Sequence, residues 1–151
     1  MMYTRDANIF IRDTDPNDPL YPVCRKLLET LDRRQIPIIV PNLLLAEVAA
    51  TMSRTRRDPI RARITAESIK AFTHIHLVPI DETLAQEAAE LAADRALRGA
   101  DAVYVAVAHR SGGTLVTLDR EQRERAAPVV RALTPAEALA ELDAGATQAE
   151  R

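Results

Sequence analysis

Along the chain, short apolar runs alternate with longer stretches whose apolar residues recur every three or four positions. The runs are "MMYTR", "IPIIV", "IHLVPI", "TLVTL" and "VVRAL". Most are apolar on consecutive residues, not alternate ones, which predicts strands covered on both faces, as in a parallel sheet between helices. The stretches between them read as helices. "DANIFI" makes a short turn, and "LYPVCRKLLETLDRR" buries Val23, Leu27, Leu28 and Leu31, with Pro22 in its early turns. "NLLLAEVAATMSRTRR" is opened by Asn42, and "IRARITAESIKAF" follows the Asp58–Pro59 break. An Ala-rich helix is expected from Asp81 or Thr83 to about Leu97, with Gly99 as its stop; "ADAVYVAVAHR" follows and ends at Gly112 and Gly113. "REQRERAAP" is a polar turn or helix, and Thr134–Pro135 opens a final helix. The prediction is an α/β fold: three layers, with a short, mainly parallel central sheet flanked by helices.

Composition narrows this picture without redirecting it. At 151 residues and 47% hydrophobic, the chain suits one core, so a single domain is expected over residues 1–140, with 141–151 as a flexible tail. Cys24 is the only cysteine, which excludes an internal disulfide or a multi-thiolate metal site; beside Val23 and Leu27 it reads as a small buried side chain. Arg5 and Asp6 interrupt the amino-terminal apolar residues, and no run approaches the roughly 20 apolar residues of a membrane span. A cytoplasmic protein with no membrane partner is therefore expected. The net charge of −2 gives no global support for nucleic-acid binding, but "RTRRDPIRARITAESIK" carries six basic side chains against two acidic ones. A phosphate backbone responds to such a local surface, though an ordinary solvated helix face explains it as well.

Four acids change the functional picture. Asp6 follows the first strand and Asp119 the fourth, so both fall at the carboxyl edge of a parallel sheet, where the crevice of an open α/β sheet lies. Asp101 stands in the first turn of its helix, and Glu47 lies inside a helix with largely apolar surroundings. Singly, each reads as a cap, a turn residue or a surface charge. Two bare carboxylates about 4 Å apart repel by about 4 kcal/mol at an effective dielectric near 20, so four together need protons or a divalent cation. All-oxygen ligands suit Mg²⁺, with Mn²⁺ as a substitute. His74, His76 and His109 have no nearby thiolate and offer little for zinc. "RDTDPNDP" superficially has calcium-loop spacing, but Asp18 occupies the position needing glycine, and it reads as a solvated loop.

These motifs, in order, resemble those of the PIN domain, the small nuclease fold of the toxin halves of VapBC toxin–antitoxin pairs. "DANIF" matches the first motif with Asp6 and, two positions on, Asn8; "LLAEV" the second with Glu47; "GADAVYVAVA" the third with Asp101; and "LVTLD" the fourth with Asp119 and Thr117. The likeness spans roughly residues 2–135. One departure follows Asp119, where the family often places an apolar residue and this chain reads "REQRERA".

The resemblance implies a Mg²⁺-dependent endoribonuclease. Asp6, Asp101 and Asp119 hold the metal, and Glu47 binds metal or orders a water that attacks the phosphodiester, leaving 5′-phosphate and 3′-hydroxyl ends. Asn8 and Thr117 orient carboxylates or phosphate, and Arg54, Arg56, Arg57 and Arg98 contact the RNA backbone. Expected partners are the RNA substrate, a cognate antitoxin covering the acidic cleft, and a second copy in a homodimer. A non-toxin RNA-processing nuclease and a catalytically silent RNA-binding or protein-interaction module remain alternatives. Two other acidic-edge enzymes fit poorly. A haloacid-dehalogenase phosphohydrolase needs a second Asp where Asn8 stands, and a receiver domain needs a late lysine, whereas the only lysines are Lys26 and Lys70.

Overall fold

Tyr3–Arg5 forms the first strand, β1, and every one of its side chains is buried, as a strand sandwiched between helical layers requires. In this computed structural model, which describes residues 1–149, the chain continues through α1 (Ala7–Arg12), α2 (Tyr21–Arg33), β2 (Ile38–Pro41), α3 (Leu43–Arg56), α4 (Pro59–Lys70) and β3 (Ile75–Val78). It then runs through α5 (Glu82–Arg95), α6 (Gly99–Ser111), β4 (Thr114–Val116), α7 (Arg120–Ala126), β5 (Ala132–Leu133) and α8 (Pro135–Ala149). The five strands lie in the order β3-β2-β1-β4-β5, and every pairing is parallel.

That order sets the position of the site. The chain winds outward from β1 to β2 and β3, then returns across the sheet and continues from β4 to β5 on the other side. The direction reverses between β1 and β4, and connections diverging there leave a crevice beyond the carboxyl ends of those two strands. Their register aligns Arg5 with Val116, so Asp6 and Thr117 emerge side by side. α6 packs against β1, β2 and β4, beneath that crevice.

The core is aliphatic and alanine-rich. Leu27 and Leu31 of α2, Leu44 and Val48 of α3, and Val105 of α6 are fully buried, each such side chain contributing about 1.5–3 kcal/mol through removal from water. Cys24 is also fully buried, its thiol pushed up to about 11 by desolvation and by Asp13 and Asp18, as an inert core residue should be. Ala102, Ala106 and Ala108 let α6 approach the sheet closely.

Three local expectations need correction. Gly99 does not stop α5. Ala96 ends that helix in the left-handed conformation (φ 52°), and Gly99 is instead the first residue of α6. Asn42 precedes α3 but has helical dihedrals and makes no side-chain cap, whereas Asp58, Asp81 and Asp119 cap α4, α5 and α7 by accepting amide hydrogen bonds. The final helix also runs on to Ala149, through most of the segment expected as a tail; residues 150–151 lie outside the described residues. Packing explains its length: α8 lies on α2, Leu142 is buried, and the Arg34 guanidinium donates to the Leu142 carbonyl at 2.7 Å. Among the described residues, no helix is long and apolar enough to cross a membrane.

Candidate functional site

Asp6 sits where β1 turns into α1, just beyond the sheet, and is only 7% exposed. The Thr117 hydroxyl donates to its Oδ2 at 2.5 Å, while Oδ1 is buried without a hydrogen-bond partner. Burial raises the Asp6 pKa to about 6. Thr117 and the amides of Ile9 and Asn8 pull it down, and Asp101 pushes it further up. Thr117, fully buried, also accepts from the Asp119 amide at 3.1 Å and so ties the first and fourth motifs together.

Asp119 caps α7, its Oδ1 accepting from the Gln122 amide at 3.0 Å. Asp101 stands half-buried in the first turn of α6. Its pKa is raised by burial and by Asp119 and Glu121, against the lowering effect of Arg98. Glu47 projects from the middle of α3, where Oε1 is buried and unpartnered; burial raises its pKa, and Asp6 and Asp101 add to the rise. Tyr104 is buried beside Glu47, and its hydroxyl is pushed far up by desolvation and the neighbouring carboxylate. Neither the Tyr104 hydroxyl nor Glu47 Oε1 is in a hydrogen bond of normal geometry.

The four predicted acids therefore belong to one neighbourhood. Glu47 feels the charge of Asp6, both feel that of Asp101, and Asp101 in turn feels Asp119. They do not form a closed cage. Among the described residues, no group of three or more His, Cys, Asp or Glu side chains is set to hold a metal ion. The donor chemistry nevertheless fits a hard divalent cation, because all the donors are oxygens and two of the buried ones, Asp6 Oδ1 and Glu47 Oε1, lack any partner.

The other predicted residues divide by exposure. Asn8 is exposed in the first turn of α1. Arg54 and Arg57 are exposed at the carboxyl end of α3, and Arg98 is exposed at the N-cap of α6, beside Asp101. Arg56 is tied down: its guanidinium donates to the Thr14 hydroxyl at 2.8 Å and to the Thr14 carbonyl at 3.3 Å. The "RDTDPNDP" acids are satisfied locally, Asp18 by Arg12 and the Leu20 amide, Asp13 by Arg25, and Asp15 by the Asn17 amide.

Two residues beside the acids were not singled out from sequence. Glu121 adds negative charge near Asp101, and Gln122 is 1% exposed with both side-chain polar atoms unpartnered. The polar run "REQRERA" hid both, since only the turn of α7 brings them to the cleft.

The PIN domain family model matches residues 3–128. The chain belongs to the PIN domain family. Among curated proteins no relative matches. Several solved structures share the fold. VapBC2 from Rickettsia felis, bound to a DNA fragment from its promoter, superposes with a TM-score of 0.67 at 16% identity, over 89% of this chain and 98% of that one. VapC20 of Mycobacterium tuberculosis, described as a sarcin–ricin-loop-cleaving toxin, gives 0.66 at 19% identity over 81% and 93%. PAE2754 from Pyrobaculum aerophilum gives 0.70 at 20% identity over 95% and 90%. Within this PIN fold the acidic neighbourhood occupies the crevice at the β1–β4 reversal.

Proposed function

We propose that this PIN-domain protein is a Mg²⁺-dependent endoribonuclease, with Mn²⁺ as a substitute metal, and the toxin of a type II toxin–antitoxin pair. The observation that carries the reading is Asp6: a nearly buried carboxylate with one oxygen held by Thr117, the other unpartnered, Asp101 close enough to raise its proton affinity, and Glu47 close enough to feel its charge. Such an arrangement is unfavourable without positive charge.

Asp6, Asp101 and Asp119 would hold the metal. When bound, the ion supplies Lewis acidity towards the phosphate and lowers the pKa of water. Thr117 fixes the Asp6 carboxylate and the turn bearing Asp119, so both acids keep their orientation as substrate arrives. Glu47 Oε1 orients the attacking water and accepts its proton. In this reading Asn8 bonds a phosphate oxygen or orients a carboxylate, and Arg54, Arg57 and Arg98 neutralise flanking phosphates, with Arg56 as a lesser contact because of its bonds to Thr14. The fold shared with VapBC complexes supports an antitoxin partner, and the reading includes a homodimer of this chain. Ile60 and Ile64, exposed one turn apart on α4, are apolar surface that such a protein partner would cover.

A second reading is a silent RNA-binding or protein-interaction module, favoured by the lack of a closed ligand set among the described residues. One experiment separates the two. Purified protein is incubated with a mixed RNA pool in Mg²⁺, Mn²⁺ or EDTA, beside folded Asp101→Asn and Asp119→Asn variants. Metal-dependent cutting lost in both variants supports the nuclease. Cutting in EDTA, or variants as fast as the parent, rejects it, and RNA retention without cutting supports the silent module.

A further inference from the structure

Asp101 and Tyr104 stand three residues apart on α6, so their side chains share one face of that helix. Tyr104 is only 1% exposed, and its hydroxyl is buried with no hydrogen-bond partner of normal geometry among the described residues. Packing alone does not account for that oxygen. Phenylalanine would fill the same space without burying an unpaired polar group, which is costly in a core. The charged groups around the hydroxyl are acids. Of the charges that act on it, Glu47 is the strongest, ahead of Asp6 and Asp101, so the phenol lies among three of the four carboxylates of the crevice.

Glu47 presents the matching defect. Its Oε1 is buried and receives no hydrogen bond of normal geometry, although the side chain as a whole is partly exposed. Burial raises the Glu47 pKa, and hydrogen bonding from Tyr104 works against that rise. The two groups are thus near enough to interact, across a contact that falls short of full hydrogen-bond geometry. Catalytic hydrogen bonds are often long before substrate arrives and tighten in the working complex. A neutral phenol has one proton to donate, and an ionised carboxylate only accepts. We propose that Tyr104 is the positioning residue for Glu47: its hydroxyl donates to Oε1 and so fixes the carboxylate for its work on the attacking water. That role rests on the nuclease reading; the pairing of hydroxyl with carboxylate does not.

The neighbouring acid already shows the same device. The Thr117 hydroxyl donates to Oδ2 of Asp6 and holds that side chain. Asp6 therefore has its hydroxyl donor, whereas Glu47 has none unless Tyr104 supplies it. A carboxylate offers about four lone-pair sites, so one bond from the phenol leaves others for water. A hydroxyl also orients Glu47 without cancelling its charge, as a lysine or arginine would, and so keeps it able to accept a proton.

A double-mutant cycle tests the pairing in the metal-free full chain at pH 8, read by urea unfolding. Tyr104→Phe is expected to lower the stability of the parent but not that of Glu47→Met, with at least about fivefold non-additivity in the unfolding equilibrium constant. Cleavage of a single RNA in Mg²⁺ tests the consequence. Tyr104→Phe is expected to lower kcat at least tenfold with KM within twofold of the parent, because the hydroxyl touches no substrate. Glu47→Met alone, which keeps Tyr104, is expected to shift tyrosine absorbance to shorter wavelength, as a phenol does on losing its acceptor; it keeps the test decisive should Tyr104→Phe not fold. Additive unfolding effects, an unmoved tyrosine spectrum, or a Tyr104→Phe variant as fast as the parent each overturns the proposal. A parent that cuts no RNA sinks the nuclease reading instead, and the unfolding cycle then still decides the pairing.

Discussion

Arg5 and Asp6 are chain neighbours, both nearly or fully buried and both charged types, yet their surroundings differ in kind. Asp6 lies in a polar crevice at the topological reversal, with a hydroxyl bonded to one oxygen and other carboxylates nearby. Arg5 is packed under an aromatic ring, with none of its guanidinium nitrogens hydrogen-bonded among the described residues. Burial moves each pKa toward its neutral form, Asp6 up to about 6 and Arg5 down to about 9. The crevice gathers like charges and so asks for a cation; Arg5 is sealed from solvent, its charge opposed by burial and supported by Asp13. A one-residue step along β1 separates the two because successive side chains take opposite faces.

The largest effect that sharpens this contrast is catalytic. Asp101→Asn and Asp119→Asn are each expected to lower RNA cleavage at least a hundredfold while the melting temperature stays within a few degrees of the parent, measured by single-turnover cleavage and thermal unfolding. Retained activity in a folded variant would break the assignment of the crevice.

The next effect is on stability in EDTA. The Asp6 pKa is raised from 3.8 to about 6 in the folded protein, so the native state binds more protons than the unfolded chain between those values. That contribution is therefore fully present at low pH and lost as pH rises through about 6. Asp6→Asn is expected to stabilise the metal-free protein by about 3 kcal/mol above pH 7, with the gain vanishing below about pH 4, as read by urea unfolding across pH. A gain that does not change with pH would contradict the account. On the opposite face, Arg5→Met is expected to stabilise by about 1–3 kcal/mol, since an apolar side chain replaces an unpaired buried charge. A clear loss of stability would mean that the stack on Phe10 outweighs desolvation.

The smallest effect is at the rim. Arg54→Ala and Arg57→Ala are each expected to weaken RNA binding a few-fold across sequences and to flatten the salt dependence by about one counter-ion, whereas Arg56→Ala changes it less. Binding isotherms at several salt concentrations measure this. An Arg56 effect as large as that of Arg54 would show that its bonds to Thr14 yield to RNA.

The parallel sheet was legible because β1 to β5 are short consecutive apolar runs separated by helical periodicity, and the edge position of Asp6 and Asp119 followed from strand order alone. Helix ends were less legible. Gly99 looks like a stop, but the left-handed turn falls on Ala96, and α8 outlasts its sequence signal because α2 gives Leu142 somewhere to pack. How closely the four acids approach one another depends on side-chain placement across α3, α6 and two strand ends, which no local pattern encodes. Arg5 had a visible signal, a lone charge in an apolar strand, yet sequence shows only that it interrupts the run and not that it is fully buried against Phe10.

The cation-seeking character of the crevice is tested most directly by calorimetric titration of Mn²⁺ into the metal-free protein and into Asp101→Asn at neutral pH. The account predicts saturable binding with proton release in the parent, weakened at least tenfold in the variant. Identical isotherms, or no binding at millimolar Mn²⁺, would contradict it.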